Sequence, residues 1–186
     1  MSMASQYKDW TLFLDRDGVL NIKIEDGYVT KPDEFRWIEG VPEIIASLNK
    51  LFKYIIIVTN QQGVGKGLMT MNDLDAIHDR LRKDVNSVGG QIHAIFSAPQ
   101  LSAENHPDRK PGTGMLLRAK KIFPDIDFSK SMMVGDSLSD MIMADRIAMK
   151  RIYISHSAET EIPADYTFNS LAHFYQSILR GEVNFL

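Results

Sequence analysis

Residues 10–21, Trp10-Thr11-Leu12-Phe13-Leu14-Asp15-Arg16-Asp17-Gly18-Val19-Leu20-Asn21, change character in a single step. Five residues suited to a buried strand stop at Asp15, and an acidic turn with a glycine follows at once. Ligands of open α/β sheets bind beyond the carboxyl ends of the strands, so a strand that ends in carboxylates marks a candidate site. Further along the chain the pattern recurs. Tyr54-Ile55-Ile56-Ile57-Val58 is apolar and partly β-branched, as in a strand buried on both faces, and runs into Thr59-Asn60. Ser131–Val134 runs into Gly135-Asp136. Further strands are expected at Gln91–Phe96, Arg151–Ser155 and Asp165–Phe168.

Helical patterns separate these runs. Val41–Phe52 carries Pro42 in its first turn, and Leu74, Ile77, Leu81, Val85 and Val88 recur at helical spacing after a cap at Thr70 or Asn72. Gly114–Phe123, Asp140–Met149 and Leu171–Leu179 complete the set. Strands alternating with helices predict an α/β fold with a mainly parallel, doubly wound sheet, as one domain over 1–186. Val19–Trp37 is long for a strand-to-helix connection, and a small β-hairpin flap turning at Asp26-Gly27 is expected there.

Composition excludes several classes. The 186 residues are 44% hydrophobic and 24% charged, as in ordinary globular domains. A formal net charge of −3 argues against a nucleic-acid surface, and the absence of Cys removes disulfides and thiolate metal sites. The apolar run at Ile55–Val58 is too short to span a bilayer, and Met1–Lys8 lacks the apolar core of a signal peptide. A cytoplasmic monomer with no nucleic-acid or membrane partner is the expectation.

The strand-end residues suit phosphoryl transfer. Mg²⁺ takes oxygen ligands, which Asp15, Asp136 and the backbone carbonyl of Asp17 would supply. A metal and Lys110 together lower the repulsion between an anionic nucleophile and a phosphate dianion. Asp15 can then attack phosphorus, splitting one hard step into two. The leaving alkoxide needs a proton and the later water must lose one, and Asp17 is placed to serve both. Thr59 and the amides near Asn60 would hold phosphate oxygens, and Asp140 would position Lys110 or a metal-bound water. Each residue alone has a plainer reading. Asp15 and Asp17 could be a solvated turn, Asp140 a helix N-terminal acid, and Lys110 and Lys66 surface lysines. Residues 63–67, Gly-Val-Gly-Lys-Gly, lack the spacing and the hydroxyl residue of a nucleotide-binding P-loop. His78, Arg80, Arg82 and Lys83 read as the wet face of a helix.

Taken together, Asp15-Arg16-Asp17-Gly18-Val19-Leu20-Asn21, Val58-Thr59-Asn60-Gln61, Arg109-Lys110-Pro111 and Gly135-Asp136-Ser137-Leu138-Ser139-Asp140 resemble the phosphatase branch of the haloacid dehalogenase superfamily. The resemblance implies a Rossmann-like core, Mg²⁺ and an aspartyl-phosphate intermediate. It is narrower still for the histidinol-phosphatase group, nearly capless enzymes that include the heptose bisphosphate phosphatases. It therefore implies a small phosphorylated metabolite as substrate, a heptose 1,7-bisphosphate before histidinol phosphate. It also implies that Gln61, Gln62 and the loop with Lys66 border the substrate and that Arg109 meets its far end. Many relatives carry a Cys/His zinc loop before Arg-Lys-Pro; the stretch from Ala98 to Asp108 has no Cys, so no zinc is expected.

Two rivals use similar parts. A phospho-Asp receiver domain places its acidic cluster and its phosphorylated Asp on different strands, and it has no use for an acid at Asp17. A dehalogenase expels halide, which needs no proton from Asp17.

Overall fold

The computed structural model describes residues 6–156 and 162–185; the first five residues of the polar N-terminal stretch lie outside them. Six strands form one parallel sheet: β1 (Thr11–Leu14), β2 (Tyr54–Asn60), β3 (Ala94–Ala98), β4 (Ser131–Gly135), β5 (Lys150–Ile154) and β6 (Tyr166–Phe168), in spatial order β3-β2-β1-β4-β5-β6. The helices are α1 (Val41–Leu48), α2 (Gln62–Gly65), α3 (Met71–Ser87), α4 (Gly114–Ile122), α5 (Leu138–Asp145) and α6 (Leu171–Leu179). The doubly wound α/β architecture expected from the alternation is the one observed.

Successive residues of the central strands serve opposite faces, as the pleat requires. Leu12, Leu14, Ile55, Ile57, Met132 and Val134 pack with α1, α3 and α6. Phe13, Ile56, Val58 and Met133 pack with α4 and α5. Burial on both faces explains why these strands read as continuous apolar runs. Met115, Met133, Met141, Met143 and Met149 all sit in the second layer, where unbranched side chains fill irregular gaps.

Three local expectations are corrected. The segment 19–37 forms no hairpin at Asp26-Gly27. Only its ends pair, through Ile22 N–H to Arg36 O (2.8 Å) and Ile38 N–H to Leu20 O (3.0 Å). Between them Val29 and Phe35 turn into the core, so the segment is a docked loop rather than a free-standing ribbon. Second, the glycine-rich stretch after β2 contains the short helix α2. Gly63 lets that helix pack closely, since a Cβ there would lie 3.2 Å from Tyr28 Cγ and 3.1 Å from Met69 Cε. Third, His78 is buried at 7% exposure, one residue round from the apolar stripe of α3. The apolar stripe wraps far enough to take in an imidazole that has an internal partner. No helix among the described residues is long and apolar enough to cross a membrane.

Candidate active site

β1 lies between β2 and β4, with Leu14 in register with both Ile57 and Val134. Chain connections leave β1 toward β2 on one side, and β4 returns on the other, so a crevice opens where the winding reverses. Asp15 stands at its floor, its N–H bonded to Val134 O (2.9 Å). Thr59 and Asn60 come from the end of β2, and Asp136 follows β4.

Lys110 reaches this floor from the loop after β3. Asn60 pins the loop by a reciprocal pair, donating Nδ2 to Lys110 O (3.2 Å) and accepting Lys110 N–H on Oδ1 (3.0 Å). The buried ammonium then contacts Asp15 Oδ1 and Asp140 Oδ1, both at 2.7 Å, and donates to Val58 O (3.1 Å). Burial opposes the Lys110 charge, but Asp140 and Asp15 outweigh it and hold the group above the usual lysine range. Asp140 also starts a helix. Its Oδ2 accepts from Ser137 N–H (3.1 Å) and Oγ (2.6 Å), closing the capping box of α5.

Carboxylate oxygens of Asp15, Asp136 and Asp140 lie within 4.8 Å of one another. Asp136 Oδ2 meets Lys23 Nζ at 3.0 Å, while its buried Oδ1 has no hydrogen-bond partner. Three carboxylates against the ammoniums of Lys23 and Lys110 leave one net negative charge in a buried space. Burial, with Asp140 and Asp136 close by, accordingly pushes Asp15 up to about 7 against the pull of Lys110. An all-oxygen cluster, net negative and with an unpartnered oxygen, fits a hard divalent cation such as Mg²⁺. Gly18 makes the close approach possible: a Cβ there would lie 2.2 Å from Asp136 Oδ2.

Asp17 lives in the opposite setting. Its Oδ1 accepts from Arg16 Nη2 (3.0 Å) and Asn21 Nδ2 (2.9 Å), and its Oδ2 from Arg16 Nη2 (2.9 Å) and Gln61 Nε2 (2.8 Å). Burial alone would raise it, but Arg16 and the donors from Asn21 and Gln61 win and hold the carboxyl below its usual range. Gln61 Nε2 also donates to Thr59 Oγ1 (2.9 Å), and Gln61 Oε1 accepts from Arg16 Nη2 (3.1 Å). Gln61, expected at the substrate border, is therefore buried and turned inward. Its amide is consumed by the Asp17 and Thr59 side chains rather than offered to the cleft.

The cleft above has a volume of about 460 Å³. Asp15, Asp17, Thr59 and Lys110 line its inner end. Gln62, Lys66 and Arg109 line it as well, with Lys23 and Tyr28 from the docked loop. Tyr28 Oη accepts from Gln62 Nε2 (2.8 Å) and Lys66 Nζ (2.9 Å), which draws the phenol below its ordinary range. Sequence reasoning assigned no role to Lys23, Tyr28 or the Arg16 side chain. The unexplained length of segment 19–37 was the signal for the first two, and the burial of Arg16 left none.

Comparison with known proteins agrees with this geometry. The family model for polynucleotide kinase 3 phosphatase matches residues 11–171. The D-glycero-alpha-D-manno-heptose-1,7-bisphosphate 7-phosphatase of Mycobacterium tuberculosis is 36% identical over 180 residues, covering 93% of this chain and 94% of that protein. The D-glycero-beta-D-manno-heptose-1,7-bisphosphate 7-phosphatase of Escherichia coli is 33% identical over 183 residues, covering 92% and 94%. Among solved structures, a D,D-heptose 1,7-bisphosphate phosphatase from B. bronchiseptica, complexed with magnesium and phosphate, superposes with a TM-score of 0.84 at 28% identity, covering 92% of this chain and 99% of that one. Sheet order, strand-end carboxylates and similarity along nearly the whole chain converge: the chain belongs to the haloacid dehalogenase superfamily of phosphatases, in the family of the heptose-1,7-bisphosphate 7-phosphatases.

Proposed function

We propose that this phosphatase removes the 7-phosphate of a D-glycero-D-manno-heptose 1,7-bisphosphate through an aspartyl phosphate on Asp15. One observation carries the reading. The cleft holds a nucleophile–lysine pair at its floor, Asp15 Oδ1 to Lys110 Nζ at 2.7 Å, and also carries the separate cations Lys66 and Arg109. A monophosphate needs only the floor, whereas a bisphosphate uses both. The names of the relatives support the same substrate.

The chemistry follows from the residues. Asp15, Asp136 and the Asp17 carbonyl would hold Mg²⁺, which when bound neutralises charge on the nucleophile and the phosphate. In the first step an Asp15 oxygen bonds to phosphorus, the ester P–O bond breaks, and the leaving alkoxide takes a proton from Asp17. In the second, water attacks phosphorus and gives its proton to the Asp17 carboxylate. The bond from Asp15 to phosphorus breaks, releasing phosphate and regenerating both carboxyl groups. Lys110 holds Asp15 throughout, and Asp140 holds Lys110. The donors around Asp17 stabilise its ionised form and occupy both its oxygens. Delivering the proton requires the carboxyl to turn from Arg16 toward the leaving oxygen.

Magnesium-dependent kinetics on both anomers of the heptose bisphosphate, on histidinol phosphate and on a 3′-phosphorylated oligonucleotide test the assignment. The bisphosphate should give the highest kcat/KM. An advantage of about tenfold (~1.4 kcal/mol) for either of the others would overturn the substrate.

A further inference from the structure

The outer end of the cleft is as closely built as its floor, although neither chemical step touches it. Val29 anchors the docked loop in the core, and its neighbour Tyr28 lines the cleft. The tyrosine ring lies against Gly63 of α2, where a Cβ would stand 3.2 Å from Tyr28 Cγ. The docked loop and the turn after β2 then meet at the phenol oxygen. Gln62 Nε2 donates to Tyr28 Oη at 2.8 Å and Lys66 Nζ at 2.9 Å, with the ammonium 5.1 Å from the ring centroid.

A phenol has two lone pairs and one proton. Gln62 and Lys66 occupy both lone pairs, so the O–H is left to donate, and it has no protein acceptor among the described residues. We propose that Tyr28 sets the preference for a bisphosphate: its oxygen fixes Lys66 and Gln62 at the outer end of the cleft, and its O–H donates to the phosphate that is not transferred. This role rests on the bisphosphate reading above and names the residue that organises the second half of that site. Three features support it. Lys66 is exposed on a flexible four-carbon stem, and the phenol holds its charge in place before a ligand arrives, which lowers the ordering cost of binding. Beyond the floor, Lys66 and Arg109 outnumber Asp26 among the charged groups that line the cleft, as a second anion requires. The hydrogen bond from Lys66, against burial and with help from Gln62, draws the phenol below its ordinary range, so its O–H is a stronger donor.

A contact to the phosphate that does not react is the same in the ground and transition states, so it acts on KM. The measurement is the ratio of kcat/KM for the heptose 1,7-bisphosphate to that for the heptose 7-phosphate, which keeps the scissile bond and lacks the outer group. Tyr28→Phe retains the ring that packs on Gly63 and removes only the oxygen, and turnover of the 7-phosphate reports that the fold survives. The substitution should lower the ratio about tenfold, the scale of a hydrogen bond to a charged group, chiefly as a rise in KM for the bisphosphate. Lys66→Met should lower it as well. In the double variant the loss should fall short of the product of the single losses by about threefold or more, because the phenol acts in part through the lysine. Equal losses on the two substrates would make Tyr28 a packing residue, and fully multiplicative losses would separate it from Lys66; either result overturns the role. A wild type with no preference for the bisphosphate over the 7-phosphate refutes the bisphosphate reading and the role of Tyr28 with it. A preference that Tyr28→Phe leaves intact refutes the role of Tyr28 alone.

Discussion

Asp15 and Asp17 are two residues apart, yet their surroundings push them in opposite directions. Asp15 is crowded by Asp140 and Asp136 in a buried site and rises to about 7, whereas Asp17 sits among donors and falls. The separation is the reverse of what a nucleophile and an acid need, so a cation held by Asp15 and Asp136 would have to favour ionised Asp15, and Asp17 would have to leave its donors to carry a proton. Asp15→Asn should abolish turnover and leave no trappable acyl phosphate; retained activity would remove the nucleophile assignment. Asp17→Asn should reduce kcat/KM for a sugar phosphate by about 100-fold or more, while kcat/KM for an activated aryl phosphate changes little. Equal losses on the two substrates would count against the acid role. His78 gives a separate, thermodynamic prediction. Burial, Arg16 and Arg82, against a small opposing effect of Asp17, hold it neutral to about pH 3, while in the unfolded chain it protonates near 6.5. Below 6.5 the unfolded state binds a proton that the fold refuses, so this contribution to stability is lost as pH falls. Relative to His78→Gln, the wild type should lose about 2 kcal/mol between pH 7 and pH 5, at up to ~1.4 kcal/mol per pH unit. Guanidinium melts of both proteins at the two pH values measure it.

Among the elements, the turns after β1 and β4 are where backbone geometry becomes chemistry. Gly18 combines a φ of +84° with an approach to Asp136 that leaves no room for a Cβ. Gly89, at the end of α3, has a φ of +80° and open space around it. Alanine at either position should cost roughly 1–3 kcal/mol of stability from backbone strain alone. Only Gly18→Ala should also raise the half-saturating Mg²⁺ concentration, by about 10-fold or more, as misplacement of a metal ligand's support does. Urea melts and Mg²⁺ titrations of the two variants separate strain from collision, and an unchanged Mg²⁺ requirement in Gly18→Ala would remove Asp136 from the metal site. Helix α5 shows a related economy. Asp140 caps the helix through one oxygen and holds Lys110 through the other, so the start of the helix and the position of the lysine depend on one side chain. The docked loop between β1 and α1 makes the same point, since Val29 and Phe35 anchor it in the core while Lys23 and Tyr28 face the cleft.

For the whole molecule, the site is a place where the fold holds unfavourable charge, three carboxylates gathered from two strand ends and a helix start. A cation that binds there and not to the unfolded chain should stabilise the entire domain. At about 100 times its Kd, Mg²⁺ would add ~2.7 kcal/mol, or roughly 5–10 °C in Tm for a chain of this size. Asp136→Asn should lose most of that shift, and chelation should reverse it in the wild type; thermal melts with and without Mg²⁺ read both. Local pattern was enough for the doubly wound sheet, because strands buried on both faces and amphipathic helices announce themselves within a few residues. It was enough, too, to place Asp15, Asp17 and Asp136 at strand ends, because each follows an abrupt stop in an apolar run, whereas Lys110 and Asp140 lie off the strands and were singled out by their motifs. The tertiary structure alone decided that Gln61 faces inward, that Lys23 and Tyr28 join the cleft, and that His78 lies behind Arg16. Those facts depend on contacts such as the one spanning 62 residues between Arg16 and His78. Periodicity records which side of a helix avoids water, but only packing decides which buried polar groups become partners.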